Sequence, residues 1–292
     1  MLPSVVEIST SQGSGSGVVY DSKGDIVTNA HVVGAAATVQ VSPASGGKAL
    51  AAKVLGVFAP DDLAVIRVQS GAAGSLHPAS FGRSSLVRVG EIVLAMGNPL
   101  GLTGTVTDGI VSATGRTVSE GQGSSAVLIS AIQTSAAINP GNSGGALADL
   151  SGQVIGIPTL AASDPQLGGA AAGIGFAIPS DTVTSIAGQL IAAGKDSSSG
   201  RASLGISAQT VADASGQPAG AGVVSVAPGS AAAKAGIMAG DIIVSVAGQP
   251  TGSVTALQSV LATHKTGDRV PVRLSRNGTQ STVTVTLGSL TS

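Results

Sequence analysis

The sequence predicts a mostly β protein that consists of a large β domain followed by a smaller α+β domain. The chain has 292 residues, which is enough for two ordinary domains. From residue 5 to residue 178, short β-rich runs separated by Gly, Ser, Asn and Asp follow one another without a helix-length period. A polar stretch at 195–200 then separates this region from about 90 further residues, as a linker between domains would.

The runs of the first region have the length and spacing of strands in antiparallel barrels or a sandwich. A doubly wound sheet is disfavoured, because parallel strands need crossover helices. The first clear helix follows Pro179, where Ser180 and Asp181 can cap an amphipathic run that Gly194 can end. The predicted strands are 17–20, 26–28, 39–41, 53–58, 64–68, 91–96, 105–112, 127–134, 154–159 and 175–178.

These patterns place the first domain at 1–195, a linker at 196–201 and the second domain at 202–292. In the second domain we predict strands near Leu204 and Val223 and a helix that begins near Val254. A final hairpin is expected around Asn277-Gly278, a favoured two-residue turn between alternating apolar and polar residues.

The composition excludes several classes of function. Charged residues make up 10% of the chain and the net charge is -1, with no polybasic run, so nucleic acid is not a predicted partner. The chain has no Cys, few carboxylates and no His-x-x-x-His pair, so we predict neither a metal nor another cofactor. No apolar run reaches the roughly 18 to 20 residues of a spanning helix, and the first residues lack the regions of a signal peptide.

The chain has three histidines, which limits any mechanism that needs an imidazole base. His77 lies in a loop and His264 lies beside Lys265 at the polar end of a helix, so both are interpreted as surface residues. His31 follows a strand and could be held at the strand end. A lone histidine is more often structural, so the role of His31 depends on its partners.

A glycine-flanked serine, Ser143, lies in the segment Gly-Asn-Ser-Gly-Gly. Glycines let the backbone bend sharply and present a hydroxyl together with amides, which can form an oxyanion hole. The segment fits the nucleophile-elbow pattern, but that fold needs its Asp and His after the Ser. Here His31 and Asp62 precede Ser143, in the order of chymotrypsin-like enzymes. Asp62 begins an apolar strand and is preferred to Asp108, although it could be an ordinary turn residue.

Three segments closely resemble the HtrA (DegP/DegS-like) serine proteases. They are Thr28-Asn29-Ala30-His31-Val32-Val33, Asp62-Leu63-Ala64-Val65 and Ile138-Asn139-Pro140-Gly141-Asn142-Ser143-Gly144-Gly145-Ala146-Leu147. Supporting segments lie at 96–101, 109–112 and 173–179, so the resemblance spans nearly the whole chain. The region after residue 202 is similar to the PDZ domain of the same family.

The resemblance implies a chymotrypsin-like double β-barrel followed by a PDZ domain. It implies that His31 is the general base, that Asp62 orients it and that Ser143 is the nucleophile. The implied oxyanion hole consists of Gly141, Asn142 and Ser143, with amides supplied by the first and the last.

Two departures from the family pattern concern Ser135, where the family usually has Asp, and Ser203, where its PDZ loop often has Tyr. In trypsin-like relatives a carboxylate six residues before the nucleophile selects Lys or Arg, and this chain has Ala137 there. We therefore expect cleavage after small or medium aliphatic residues. The predicted substrate pocket consists of Ala137, Ile138, Ile174, Gly175 and Phe176, and the predicted PDZ peptide-binding residues are Leu204, Gly205 and Ile206.

The function expected from these features is a serine endopeptidase that hydrolyses unfolded or damaged proteins in protein quality control under stress. Its PDZ domain would bind peptide C-termini. The alternative is a chaperone-like peptide-binding protein with little or no turnover, and the Ser135 departure keeps it open. The resemblance also implies a homotrimer and an extracytoplasmic location in the periplasm, at the cell envelope or outside the cell.

Overall fold

The computed structural model describes residues 1–44, 46, 48–69, 73–98, 104–119, 127–139, 141–164, 169–193, 198–213 and 215–291. The chain divides into two compact units, Met1–Ser197 and Ser198–Thr291, and strands dominate both, which confirms the predicted fold class. The predicted helix end at Gly194, residues 196–197 of the expected linker, residues 99–101 and Pro140 lie outside the described residues.

The first barrel is built from β1 (Val5–Ser9), β2 (Ser14–Val19), β3 (Asp25–Asn29), β4 (Thr38–Pro43), β5 (Leu50–Phe58) and β6 (Leu63–Val68). These strands close in the order β1-β2-β3-β6-β5-β4 around buried valine and isoleucine side chains. A one-turn helix, α1 (Ala30–Val33), follows β3, and a 3₁₀ helix (Ala59–Asp61) precedes β6. Because Asn29 of β3 lies opposite Leu63 of β6, these two short helices lie at the same end of the barrel.

The second barrel is built from β8 (Ile92–Gly97), β9 (Thr105–Ser119), β10 (Val127–Thr134), β11 (Ala146–Asp149), β12 (Gln153–Asp164) and β13 (Gly169–Pro179). They follow the order β11-β8-β9-β10-β13-β12, and pairing of β11 with β12 closes the barrel. A short strand, β7 (Ser80–Phe81), pairs in parallel with β12. The turn that contains the candidate nucleophile immediately precedes β11.

The predicted helix after the second barrel is α2 (Ser180–Ala193). Its apolar face is buried at Val183, Ile186 and Leu190. The Ser180 hydroxyl donates to the Gly82 carbonyl at 2.7 Å, and the Asp181 carboxylate accepts the Ser85 N–H at 2.9 Å. Both residues that were expected to cap the helix therefore connect its start to the loop before the second barrel.

The second unit contains β14 (Ser198–Ser203), β15 (Ile206–Ala212), β16 (Pro218–Val226), α3 (Ala231–Lys234), β17 (Ile242–Val246), β18 (Gln249–Pro250), α4 (Val254–Ala262), β19 (Arg269–Arg276), β20 (Thr279–Thr286) and β21 (Gly288–Thr291). Its main sheet has the order β15-β16-β17-β19-β20, and β14 pairs with β21. Leu257 and Leu261 of α4 pack into the core of the unit. The expected linker overlaps β14, which pairs with the last strand as part of this unit.

Candidate active site

Ser143 lies in a turn, 141–144, that leads into β11. Gly141 and Gly144 have φ values of 113° and 81°, which side chains other than glycine rarely adopt. A Cβ atom on Gly144 would lie 2.2 Å from the carbonyl oxygen of Ser16. Gly141 and Gly144 therefore let the turn bend, and Gly144 also lets it pack directly against β2 of the first barrel.

His31 and Asp62 meet at the end of the first barrel. His31 lies in α1 with 44% of its side chain exposed, whereas Asp62 precedes β6 and is 2% exposed. One carboxylate oxygen of Asp62 accepts the backbone N–H of His31 at 3.0 Å, and the other lies 2.8 Å from Nδ1. The Nδ1 proton faces the carboxylate, so Nε2 is the basic nitrogen of the ring.

The backbone around Asp62 adopts the left-handed conformation, with φ 50° and ψ 42°. Its carbonyl accepts the Ala30 N–H at 3.0 Å and the Asn29 side-chain amide at 3.1 Å. Asp62 is thus held to the segment that carries His31 through both its main chain and its side chain. An ordinary turn residue would need neither set of contacts.

Thr159 of β12 is a site residue that the sequence analysis missed. Its hydroxyl donates to the Asp62 oxygen that also faces His31 Nδ1. Its carbonyl accepts the Ser143 hydroxyl at 3.3 Å. Thr159 therefore contacts both the carboxylate and the candidate nucleophile, although nothing in the sequence distinguishes it from other strand threonines.

One cleft brings these groups together. It has a volume of about 610 Å³ and is lined by His31, Ser143 and Thr159, together with Gly141 and Ile138. The β1–β2 turn and the residues that follow His31 form the remaining wall. The hydroxyl of Ser143 and the imidazole of His31 thus line one cavity large enough for a peptide segment, and the buried Asp62 carboxylate lies behind the imidazole.

Asn142 has a different environment from its two neighbours in the predicted oxyanion hole. Its N–H donates to the Asn139 carbonyl at 3.2 Å, and its side chain bonds the Ala137 carbonyl and the Asn139 N–H at 3.0 Å each. By contrast, neither the Gly141 N–H nor the Ser143 N–H has an acceptor among the described residues. Asn142 thus stabilises the loop, while the amides on either side of it are available to an anion.

Ser135, which stands where the family usually has Asp, accepts the Ile110 N–H on its hydroxyl oxygen at 3.0 Å. Its own N–H donates to the Ile110 carbonyl at 3.1 Å. The serine therefore joins the start of the nucleophile loop to β9. The Ser135 hydroxyl thus accepts a hydrogen bond, as the family's Asp could, but lacks the negative charge of a carboxylate.

Of the predicted pocket residues, Ile138 lines the cleft and is 7% exposed. It packs directly over Gly175, where an added Cβ would lie 2.3 Å from Ile138 Cγ1. Phe176 is buried, Ile174 is 37% exposed, and the carbonyl of the exposed Ala137 accepts the Thr107 hydroxyl at 2.9 Å. Of the five predicted pocket residues, only Ile138 therefore lines the cleft with Ser143, Gly175 contacts Ile138, and Ala137 lies at the surface.

In the second unit the predicted peptide-binding loop connects β14 to β15. Leu204 is buried, Gly205 has a φ of 72°, and Ile206 begins β15. The Gly205 N–H donates to the Ser203 hydroxyl at 3.0 Å. The serine that replaces the family's tyrosine therefore bonds one amide of this loop.

The described residues contain no cluster of three His, Asp or Glu side chains that could hold a metal ion. Among the helices in these same residues, none is long and apolar enough to cross a membrane.

Comparisons with known proteins agree with this geometry. A trypsin-like peptidase domain matches residues 15–157, and a PDZ domain matches residues 202–287. The periplasmic pH-dependent serine endoprotease DegQ of Escherichia coli is 41% identical over 288 residues, which is 96% of this chain and 60% of DegQ. The chain spans about half the length of several other curated relatives that it matches, such as the serine protease PepD of Mycobacterium tuberculosis, at 47%.

Two solved structures are similar along almost their whole length. A serine endoprotease from Yersinia pestis is 36% identical with a TM-score of 0.66, and the match covers 99% of this chain and 95% of that chain. The HtrA-type protease AlgW with a decapeptide is 29% identical with a TM-score of 0.68, and the match covers 100% and 97% of the two chains. With both domains matched in order, the chain belongs to the HtrA family of serine proteases with a PDZ domain.

Proposed function

We propose that this protein is a serine endopeptidase and that His31, Asp62 and Ser143 are its catalytic triad. The observation that carries the proposal is the contact between His31 Nδ1 and the buried Asp62 carboxylate in the cleft that also contains the Ser143 hydroxyl. A surface histidine beside a turn aspartate would not share a cavity with a glycine-flanked serine.

In the proposed reaction the Ser143 hydroxyl, which donates to the Thr159 carbonyl in this structure, turns to Nε2 of His31. Ser143 Oγ attacks the scissile carbonyl carbon, and His31 Nε2 accepts the hydroxyl proton while Asp62 stabilises the imidazolium. The N–H groups of Gly141 and Ser143 stabilise the negative charge on the former carbonyl oxygen. His31 then gives its proton to the leaving amine, which leaves an acyl group on Ser143. Water attacks this acyl group while His31 takes its proton, and His31 then returns the proton to Ser143 Oγ as the second product leaves.

The proposed substrates are unfolded or damaged proteins, as in protein quality control. An extended segment can reach Ser143 in the open cleft, whereas a folded surface cannot enter it as easily. Ile138 over Gly175 offers an apolar wall to the side chain before the scissile bond. We therefore propose cleavage after Val, Ala or Leu, which mapping of the fragments by mass spectrometry would test.

The proposed role of the second unit is to bind peptide C-termini through the loop of Leu204, Gly205 and Ile206, in which the Gly205 N–H exchanges the Ser203 hydroxyl for the peptide carboxylate. Loops of successive backbone amides are suited to capture of a terminal carboxylate. AlgW, which is similar over the whole chain, has been solved with bound peptides. By analogy with the periplasmic DegQ, we also propose an extracytoplasmic location. The homotrimer that the family resemblance implies stays a prediction.

Hydrolysis of casein by the full chain tests the catalytic proposal. Ser143→Ala and His31→Ala should each reduce the rate by about 10⁴-fold or more, because a triad acts as one unit. Ser185→Ala, which changes an exposed serine of α2, is the matched control and should hydrolyse casein at the wild-type rate.

Wild-type hydrolysis by Ser143→Ala would overturn the assignment. If the wild-type chain instead prevents casein aggregation but releases no fragments, the chaperone-like alternative replaces the protease proposal.

A further inference from the structure

Ser16 of β2 contacts both residues that supply the proposed oxyanion hole. Its side chain is fully buried, and its hydroxyl donates to the carbonyl oxygen of Gly141. Its backbone N–H donates to the carbonyl of Ser143 at 2.9 Å. A single residue of the first barrel is therefore bonded to the nucleophile loop at two points, one on each side of Asn142.

The orientation of the Ser16 hydroxyl is determined by its other partner. The hydroxyl oxygen accepts the N–H of Asn98 at 2.8 Å, which directs the hydroxyl proton to the Gly141 carbonyl. The Ser16 carbonyl in turn accepts the Thr28 hydroxyl at 2.6 Å. Every polar atom of Ser16 is bonded, its carbonyl to its own barrel and its hydroxyl and N–H to residues of the second barrel, so this residue is held rigidly.

The Gly141 carbonyl belongs to the peptide group that joins Gly141 to Asn142. The two candidate oxyanion donors, the N–H groups of Gly141 and Ser143, lie on either side of this peptide group. Any rotation of the group changes the angle between the two donors. Glycine resists such a rotation less than any other residue, so a hydrogen bond from outside the loop has a large effect here.

We infer that Ser16 is a positioning residue of the proposed peptidase: its hydroxyl holds the Gly141 peptide group so that the two amides converge on one oxygen atom. The inference rests on the proposed function. Ser16 lies beneath the loop and acts through Gly141 and Ser143 without touching the substrate. The Ser16 hydroxyl therefore stabilises the transition state, in which the oxyanion exists, and does not contribute to substrate binding.

The test is Ser16→Ala in the full chain, which removes the hydroxyl and keeps the backbone N–H. Loss of one oxyanion donor in a protease costs about 10² to 10³ in kcat. Because Ser16→Ala loosens the donors without removing one, we expect kcat to fall about 10- to 100-fold and KM to change less than about threefold. The inhibition constant of a peptide boronate, whose adduct places an oxygen in the hole, should rise by the same factor as kcat/KM falls.

Ser180→Ala is the matched control. Ser180 is equally buried in the same unit, and its hydroxyl also donates to a glycine carbonyl, that of Gly82. Ser180→Ala should lower the unfolding temperature and leave kcat and boronate inhibition within about twofold of wild type. If Ser16→Ala does not fold, Ser16→Cys, which keeps the volume and a weak donor, is measured by the same criteria.

An unchanged kcat and boronate affinity in a folded Ser16→Ala or Ser16→Cys variant would overturn the inference, because the hydroxyl would then be purely structural. The wild-type chain and Ser143→Ala separate this result from a failure of the proposed function. If the wild type neither hydrolyses the peptide nor binds the boronate, the proposed function and the inference both fail.

Discussion

At the scale of single residues, Thr159 supplies the hydrogen bond that completes the surroundings of the Asp62 carboxylate. The hydroxyl donates to the oxygen that faces His31, and the residue is 4% exposed. A hydrogen bond to a charged acceptor contributes about 1.5 to 3 kcal/mol. Thr159 therefore helps to hold the Asp62 carboxylate in the correct orientation toward the imidazole.

We predict that Thr159→Val lowers kcat/KM for a peptide substrate roughly 10- to 100-fold, because valine has the same shape but cannot donate to Asp62. Steady-state kinetics on the full chain measure the effect. Thr251→Val is the control, since this buried hydroxyl donates to the Ile243 carbonyl in the other unit. Equal kinetics for the two variants would show that Thr159 has no role beyond packing.

The contact between Ile138 and Gly175 leads to a second prediction, which concerns the preferred substrate residue before the scissile bond. Ile138→Ala removes the side chain that fills the space above Gly175 and enlarges the proposed pocket. The preferred residue before the scissile bond should change from Val, Ala or Leu toward Met or Phe by about tenfold in relative kcat/KM. Profiling with a peptide library measures this shift, and an unchanged profile would place the pocket elsewhere.

The residues of the proposed triad could be identified as candidates from sequence because each lies in a short segment with its own pattern. Thr159 and Ser16 could not be assigned their contacts in the same way. Thr159 is 97 residues from Asp62 and Ser16 is 125 residues from Gly141, so their contacts exist only after the barrels close. Such residues have ordinary local sequence and acquire a role from topology alone.

At the scale of elements, the strands were predictable because the chain alternates apolar and polar residues between clear breaks. The hairpin of β19 and β20 is an example: Asn277 and Gly278 have φ values of 50° and 80°, as a type I′ turn requires. The element boundaries were less predictable. Strand β14 occupies much of the expected linker, because its backbone pairs with β21, which lies almost 90 residues later.

An ion pair joins the start of β17 to β19. The Arg276 guanidinium hydrogen-bonds Asp241, which is 1% exposed, and this contact lowers the pKa of the Asp241 carboxyl although burial opposes the shift. A lowered pKa means that the ionised carboxylate stabilises the folded state. This stabilisation is complete above the ordinary Asp value of about 3.9 and is lost as the pH falls through the lowered pKa.

We therefore predict that Asp241→Asn lowers the unfolding temperature of the second unit by about 4 to 8 °C at pH 7. The difference from wild type should shrink as the pH falls below the ordinary Asp value of about 3.9 and through the lowered pKa, where the wild-type carboxyl becomes protonated. Thermal unfolding followed by circular dichroism at both pH values measures this. If the difference in unfolding temperature does not depend on pH, the substitution acts through the changed shape of the side chain and not through the loss of its charge.

At the scale of the whole molecule, the two units have separate cores. The core of the second unit is formed by Leu204, Val223, Leu257 and neighbouring residues of that unit, and each barrel has its own cluster of buried valine, isoleucine and leucine. The proposed catalytic residues all belong to the first unit. Proteolysis and peptide binding can therefore be separated by cutting the chain.

We predict that a chain ending at Ser197 folds, hydrolyses casein and no longer responds to peptides with a free apolar C-terminus. The full chain should respond to those peptides and not to the same peptides with an amidated C-terminus, because amidation removes the charge that the loop amides bind. Casein assays with added peptide compare the two chains. A truncated chain that still responds to free peptides would place the regulatory site in the barrels.

The central claim is that Ser143 is a nucleophile activated by His31, and covalent labelling tests it most directly. The wild-type chain is treated with a fluorophosphonate, digested and analysed by mass spectrometry. We expect one adduct per chain, on the peptide that contains Ser143, and we expect this adduct to be lost in His31→Ala. An adduct on another serine, or a folded wild-type chain that hydrolyses casein without labelling at Ser143, would contradict it.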